Sequence, residues 1–128
     1  MTSEPRWLTD TTVLAIHAQQ IERFGGAHGI RDHDVVQSAL ARPQQRWHYD
    51  PSADLADLAA LHLVGLSQAQ GFVDGNKRTG LACALVFLAL NGAALHVDGP
   101  ELFALTMRVA INQAGDADVA TYLRERLT

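Results

Sequence analysis

A chain of 128 residues, 48% hydrophobic with few prolines and glycines, fits one globular domain spanning 1–128, long enough to bury about two thirds of its unfolded surface. Its formal charge of -4 argues against a broad basic face for nucleic acid, so any anion site has to be local. The single cysteine, Cys83, excludes an internal disulfide, and "MTSEPRWLTD" lacks the apolar core of a signal peptide; a cytoplasmic protein is the expectation.

Val13, Ile16, His17, Gln20, Ile21 and Phe24 mark one face of a first helix, with Thr9 or Asp10 as N-cap and Gly25-Gly26 as the stop. Asp32 caps a short second helix through Val35, Val36, Ala39 and Leu40, which Pro43 closes; the stretch "RPQQRWHYDPS" reads as a polar loop. Ser52 is the expected cap of a third helix, whose apolar side carries Leu55, Leu58, Leu61, His62, Gly65, Leu66 and Ala69. From about Asn76 to Leu90 the chain is apolar nearly all round, which in a soluble protein marks a central helix; Asn91-Gly92 ends it. The longest uncharged stretch, Thr79 to His96, contains Asn91, Gly92 and His96, so its apolar part is too short for a bilayer, and no membrane partner is expected. "AALHV" suits a short extended piece but has no evident partner strand. Pro100 opens a fifth helix running to about Gln113, and Asp116 or Asp118 a sixth ending near Leu127. The expected fold is all-α, a single compact bundle of about six helices around a central apolar helix.

Chemistry concentrates in "QGFVDGNKRTG", Gln70 to Gly80. Lys77 and Arg78 open the fourth helix at its positive end, each unfavourable by ~0.3–1 kcal/mol, so something negative is wanted there. Free backbone N–H groups with two cations make a compact phosphate site. Asn76 could cap the helix and give its amide to a phosphate oxygen. Asp74 could hold Mg²⁺ or pair with Arg78. Gly71 and Gly75 permit a tight backbone and close ligand approach, and Phe72 is a core plug. Asp-Gly is also an ordinary turn dipeptide, so the loop alone leaves a plain turn and an anion site as equal readings.

"FVDGNKRTG", between one apolar helix and the next, resembles the signature His-x-Phe-x-Asp-(Ala/Gly)-Asn-Lys-Arg of the Fic/Doc superfamily, specifically its Doc toxins. "FGGAHGIRD", "SALARPQ" and "FLALNG" are similar to Doc-type chains as well, and the likeness runs from about Leu8 to Leu127. The resemblance implies that Phe72 anchors the loop and that Asp74 is the Mg²⁺ ligand. Gly75, Asn76, Lys77 and Arg78 would hold nucleotide phosphates, and Asp74 and Arg78 would form the catalytic set with position 70. Lys77 stands where Fic adenylyl transferases usually have glycine, which implies ATP bound the other way round, its γ-phosphate presented to a hydroxyl of translation elongation factor Tu. The implied partner is an antitoxin with a flexible C-terminal segment, for which the first helix and Arg42 to Pro51, with Trp47 and Tyr49 as anchors, are the expected surface; both rings could equally close the core.

Gln70 departs from the signature, because the family's general-base histidine belongs there and a carboxamide cannot accept a proton near neutral pH. The expected result is a chain that binds nucleotide and transfers phosphate poorly, by ~10²–10⁴. No other histidine looks able to substitute: His62 lies about two turns, ~12 Å, earlier on its helix, His17 reads as a satisfied core residue, and His28, His33, His48 and His96 fall in or beside loops. With Asp74, Asn76, Lys77 and Arg78 intact, a lone change at the proton-transfer position fits deliberate disarming of a toxic protein better than decay, with a natural variant still open. Adenylyl transfer and a non-enzymatic, antitoxin-binding module are the competing readings.

Overall fold

The computed structural model describes residues 3–128 as six helices: α1 Asp10–Phe24, α2 His33–Tyr49, α3 Leu55–Ala69, α4 Asn76–Leu90, α5 Gly99–Ala110 and α6 Asp116–Arg124. The all-α bundle is as expected, and no helix among the described residues is long and apolar enough to cross a membrane. Local chemistry starts most of the helices. Thr9 Oγ1 accepts from Thr12 N at 3.1 Å, Asp32 from Val35 N at 3.2 Å and Asp98 from Glu101 N at 2.8 Å, each quenching a donor the helix leaves unpaired.

The bundle is centred on α3, not on the segment from Asn76 to Leu90. From Ala56 to Ser67, α3 is buried everywhere except at Asp57, and α2, α4, α5 and α6 all pack on it. Helix α4, wholly apolar from Leu81 to Leu90, leaves Val86 and Leu90 exposed and turns Leu81, Ala82 and Leu85 toward a groove facing α5. Apolarity all round marks both helices, and only α3 has neighbours enough to cover it. The α3–α4 contact depends on Gly80: a Cβ there would lie 2.6 Å from Ser67 Oγ and 2.8 Å from the Leu63 carbonyl oxygen.

Other expectations need correction. Helix α2 runs through Pro43 for another turn and a half instead of stopping. An interior proline costs about 3 kcal/mol, and burial offsets it: the Pro43 ring is buried, and Trp47 packs edge-on to Trp7 with centroids 6.5 Å apart. Trp47 is therefore half-buried against the core, whereas Tyr49 is 91% exposed. Helix α3 is capped by Asp54 rather than Ser52, whose hydroxyl donates to Asp50 at 2.6 Å. Asp54 and Asp57 form a reciprocal box: Asp57 N donates to Asp54 at 2.9 Å and Asp54 N to Asp57 at 3.0 Å. Helix α6 ends at Arg124 because the tail beyond it pairs with "AALHV" across an antiparallel bridge, Leu95 to Leu127, with His96 N donating to the Arg126 carbonyl at 2.8 Å.

Candidate functional site

The α3–α4 loop is fastened from within and from two neighbours. Phe72 is buried, and the Asn76 amide clasps its backbone, Oδ1 accepting from Phe72 N and Nδ2 donating to Phe72 O, both at 3.0 Å. Asn76 is thus the first residue of α4 and not its cap, and its carboxamide serves the loop. Arg31 N and Asp32 N both donate to the Gly71 carbonyl, at 2.8 and 3.0 Å, and Val73 N donates to Gly29 O at 3.1 Å, so the loop pairs edge to edge with the segment between α1 and α2. Gly71 faces Val36 of α2, where a Cβ would lie 2.5 Å from the side chain; its small size serves packing rather than ligand approach.

From α1, His17 stacks flat on Phe72, centroids 3.9 Å apart and 8° between planes, and its Nε2 lies 2.8 Å from the Asp74 carbonyl. A carbonyl only accepts, so Nε2 carries the hydrogen. The Asp74 carboxylate accepts from Gly75 N at 2.8 Å and Ala27 N at 3.3 Å; these two bonds, with the Arg78 charge nearby, hold its pKa below the usual carboxylate value, so it is ionised at neutral pH.

Helix α4 starts at Gly75, whose φ of 76° is the left-handed region glycine tolerates, and no side chain caps it. Its leading N–H groups therefore remain open. Arg78 answers part of the charge puzzle: it donates to Gly25 O at 2.9 Å and Gln20 O at 3.5 Å and lies over Phe24, 5.7 Å from the ring centroid. A cation on the wrong end of α4 is on the right end of α1, whose C-terminal carbonyls are negative. Lys77 is exposed and makes no such contact among the described residues. Gln70, C-cap of α3 in the left-handed region at φ 57°, donates its amide to Ser67 O at 3.0 Å.

One hollow of about 320 Å³ gathers Gln70, Val73, Asp74, Gly75, Asn76, Lys77 and Arg78. Lys77 and Arg78 share it, as a common anion site requires, and of the expected site residues only the anchor Phe72 lies outside it. Both cations also border a second, apolar groove of about 870 Å³, lined by Phe24, Leu81, Leu85, Leu102, Phe103 and Met107. No group of three potential metal ligands occurs among the described residues. A lone ionised carboxylate suits Mg²⁺, which keeps several waters and is completed by substrate phosphates, and does not suit a metal held by protein alone.

The other histidines are placed elsewhere. His62 is buried in α3, donates from Nδ1 to Leu58 O at 2.8 Å and stacks on Phe87 at 4.5 Å; burial pushes its pKa down to about 4. His33 pairs with Asp10 at 3.1 Å, His48 with Glu4 at 3.4 Å and His96 with Thr128 at 2.8 Å. The contribution of α1 to the loop was not expected from the sequence: His17, the Gln20 and Gly25 carbonyls and, just beyond, Ala27 N. Its one visible signal was a histidine set into an otherwise apolar stripe.

These features define a small helical domain organised around a single motif loop. A family model described as the Fic/DOC family matches residues 7–88. Over 119 residues the chain is 35% identical to the Protein kinase doc of Escherichia phage P1, an alignment covering 93% of this chain and 94% of that protein. It is 42% identical over 76 residues to the Toxin Doc of Mycolicibacterium smegmatis (strain ATCC 700084 / mc(2)155), covering 59% and 58% of the two chains. The chain belongs to the Fic/DOC family and, within it, to the Doc toxins.

Proposed function

We propose that this protein is an ATP-dependent phosphotransferase toxin whose site is intact for nucleotide binding and impaired for transfer. The observation that carries the reading is the convergence of Asp74, Lys77, Arg78 and an uncapped helix start in one hollow with Gln70 at its edge. The open N–H groups of Asn76 and Lys77 and the Lys77 ammonium bind phosphate oxygens, with Arg78 adding charge from its anchored position. Asp74, with the phosphates, would hold Mg²⁺, which when bound neutralises charge on the transferring group.

The reaction joins a hydroxyl oxygen of the target to the γ-phosphorus and breaks the bond to the β–γ bridging oxygen, releasing ADP. The hydroxyl proton needs an acceptor. Gln70 is none, and its amide already serves the end of α3. The target proposed from the family resemblance is elongation factor Tu, whose modification would stop translation. The name Protein kinase doc, borne by a relative matched over nearly its whole length, supports phosphoryl over adenylyl transfer, as does Lys77.

A toxin of this kind works with an antitoxin. We assign the docking of its flexible segment to the apolar groove between α1, α4 and α5, because Arg23, Lys77 and Arg78 rim it and suit an amphipathic segment with acidic residues. The other half of the expected surface, Arg42 to Pro51, lies outside this groove, with Trp47 half-buried and Tyr49 exposed.

The Gln70→His variant, incubated with purified elongation factor Tu and ATP labelled at either the α or the γ phosphate, decides the matter. Label from the γ position on the target supports the kinase; α-label establishes adenylyl transfer; no label from either, with nucleotide bound, establishes a binding module.

A further inference from the structure

Helix α1 contributes no motif residue, yet three successive turns of it reach the loop. His17 meets Phe72 and Asp74, Ile21 Cδ1 would lie 3.0 Å from a Cβ on Gly75, and the Gln20 and Gly25 carbonyls accept from Arg78. Of these contacts, the one from His17 is chemically the least expected. Only 4% of its surface is exposed, and an imidazole there replaces what could have been leucine or phenylalanine on an apolar stripe. Burying a polar ring is unfavourable unless it finds a partner. The partner it finds is the backbone of Asp74, the one carboxylate in the hollow.

Asp74 is thereby held at both ends. Its carbonyl is fixed by His17, and its carboxylate is turned toward Gly75 N and Ala27 N. The stack on Phe72 fixes the other side of the same ring, so His17 couples the buried anchor of the loop to its charged residue two positions on. Releasing the carbonyl would let the Asp74–Gly75 peptide rotate, turning Gly75 N away from the Asp74 carboxylate and loosening the carboxylate's hold on Ala27 N as well.

We propose that His17 is a positioning residue for the Asp74–Arg78 hollow, setting where the Asp74 carboxylate points by holding its carbonyl while stacking on Phe72. Its effect on nucleotide binding rests on the functional reading above; its effect on the loop does not. Outer partners of this kind typically change metal affinity about 10–100-fold when removed.

Two substitutions separate the ring from its hydrogen bond. His17→Phe keeps the stack and loses the donor; His17→Gln loses the stack and keeps an N–H within reach. The amide protons of Gly75 and Ala27, drawn downfield by the Asp74 carboxylate, are followed by NMR, and ATP affinity is measured with Mg²⁺ and with EDTA. In His17→Phe both amide protons should move upfield while those of α6 stay in place, and affinity with Mg²⁺ should fall at least about tenfold with little change in EDTA. His17→Gln should restore both. Unchanged Gly75 and Ala27 shifts in His17→Phe would overturn the proposal, as would equal losses of affinity with and without Mg²⁺. If the unaltered chain binds no ATP, the functional reading fails, and the amide shifts alone still decide whether His17 positions Asp74. Should His17→Phe fail to fold, His17→Leu, also without a donor, takes its place.

Discussion

Helices α3 and α4 begin in opposite ways. At the start of α3, Asp54 and Asp57 put two carboxylates on the positive end, close a reciprocal box, and are both held by Arg124 at 2.7–3.2 Å. At the start of α4 there is a glycine, no side-chain cap, no acidic residue in the first turn, and two cations. The first end is complete within the chain; at the second, the Asp74 carboxylate is spent on Gly75 N and Ala27 N, and no side chain accepts from the N–H groups of the first turn. Arg78 recovers part of the deficit from the C-terminus of α1, which leaves Lys77 as the charge for which the described residues supply no partner. A local rule obeyed at one helix and broken at its neighbour supports placing the proposed site at the start of α4.

The largest effect expected from this comparison is at the edge of the open end. Gln70→His should raise phosphate transfer to elongation factor Tu by about 10²–10⁴ while leaving ATP affinity within a few-fold, since the base acts on the acceptor and not on the phosphates. Radiolabel transfer and calorimetric binding, run on both proteins, check it. A variant that bound ATP more tightly without transferring faster would show that position 70 belongs to the binding surface.

How legible each region was follows from where its determinants lie. Thr9 and Asp32 announce their helices because a cap acts within three residues, and the bounds of α4, Asn76 and Leu90, are read directly from the motif before and Asn91-Gly92 after. Pro43 misleads because what carries α2 past it is Trp47 meeting Trp7, forty residues away in sequence. Ser52 and Asp54 are both good caps, and only Asp54 has Asp57 at the right distance and Arg124 from α6 to hold it. The centre of the bundle was assigned to α4 because periodicity cannot say how many neighbours a helix has. In the site, the motif residues from Gln70 to Arg78 were legible as a set. The support from α1 was not, for it consists of one histidine that looks like core and two backbone carbonyls that no sequence displays.

The next largest effect concerns acid and should strike the completed helix. His62 is neutral in the folded chain, with its pKa about 4 against 6.5 when free. Between those values the unfolded chain binds the extra proton, so stability is full above pH 6.5 and is lost as pH falls toward 4, by roughly 3 kcal/mol in all. Urea melts across this range should show the loss, and His62→Leu should flatten it. A slope unchanged in that variant would place the acid sensitivity elsewhere.

Smaller is the contribution of the α3 cap. Asp54→Ala should cost roughly 1–2 kcal/mol by removing the acceptor for Asp57 N together with its place beside Arg124. Asp54→Asn keeps the acceptor and loses only the charge, and should cost well under about 1 kcal/mol because the ion pair is largely exposed. The Arg124 bond holds the Asp54 pKa down to about 2 from 3.8, so its contribution is present above pH 3.8 and lost as pH falls through 2. Thermal melts of the two variants at neutral pH separate cap from charge; equal losses would mean that the charge, not the cap, holds the start of α3.

The smallest effect has the opposite sign. Removing a cation from the positive end of α4 without changing helix propensity, as in Lys77→Gln, should stabilise the chain by ~0.3–1 kcal/mol, a rise of a few degrees in Tm. The same change should weaken ATP binding, because the ammonium removed is the one without an internal partner. Arg78→Gln should do the reverse for stability, since it strips the α1 carbonyls of their donor. A gain in Tm with a loss of affinity at Lys77, set against a loss of both at Arg78, is what an open helix end held ready for an anion predicts. If Lys77→Gln lowered Tm, the cation would already be satisfied inside the protein, and the contrast between the two helix starts would lose its meaning.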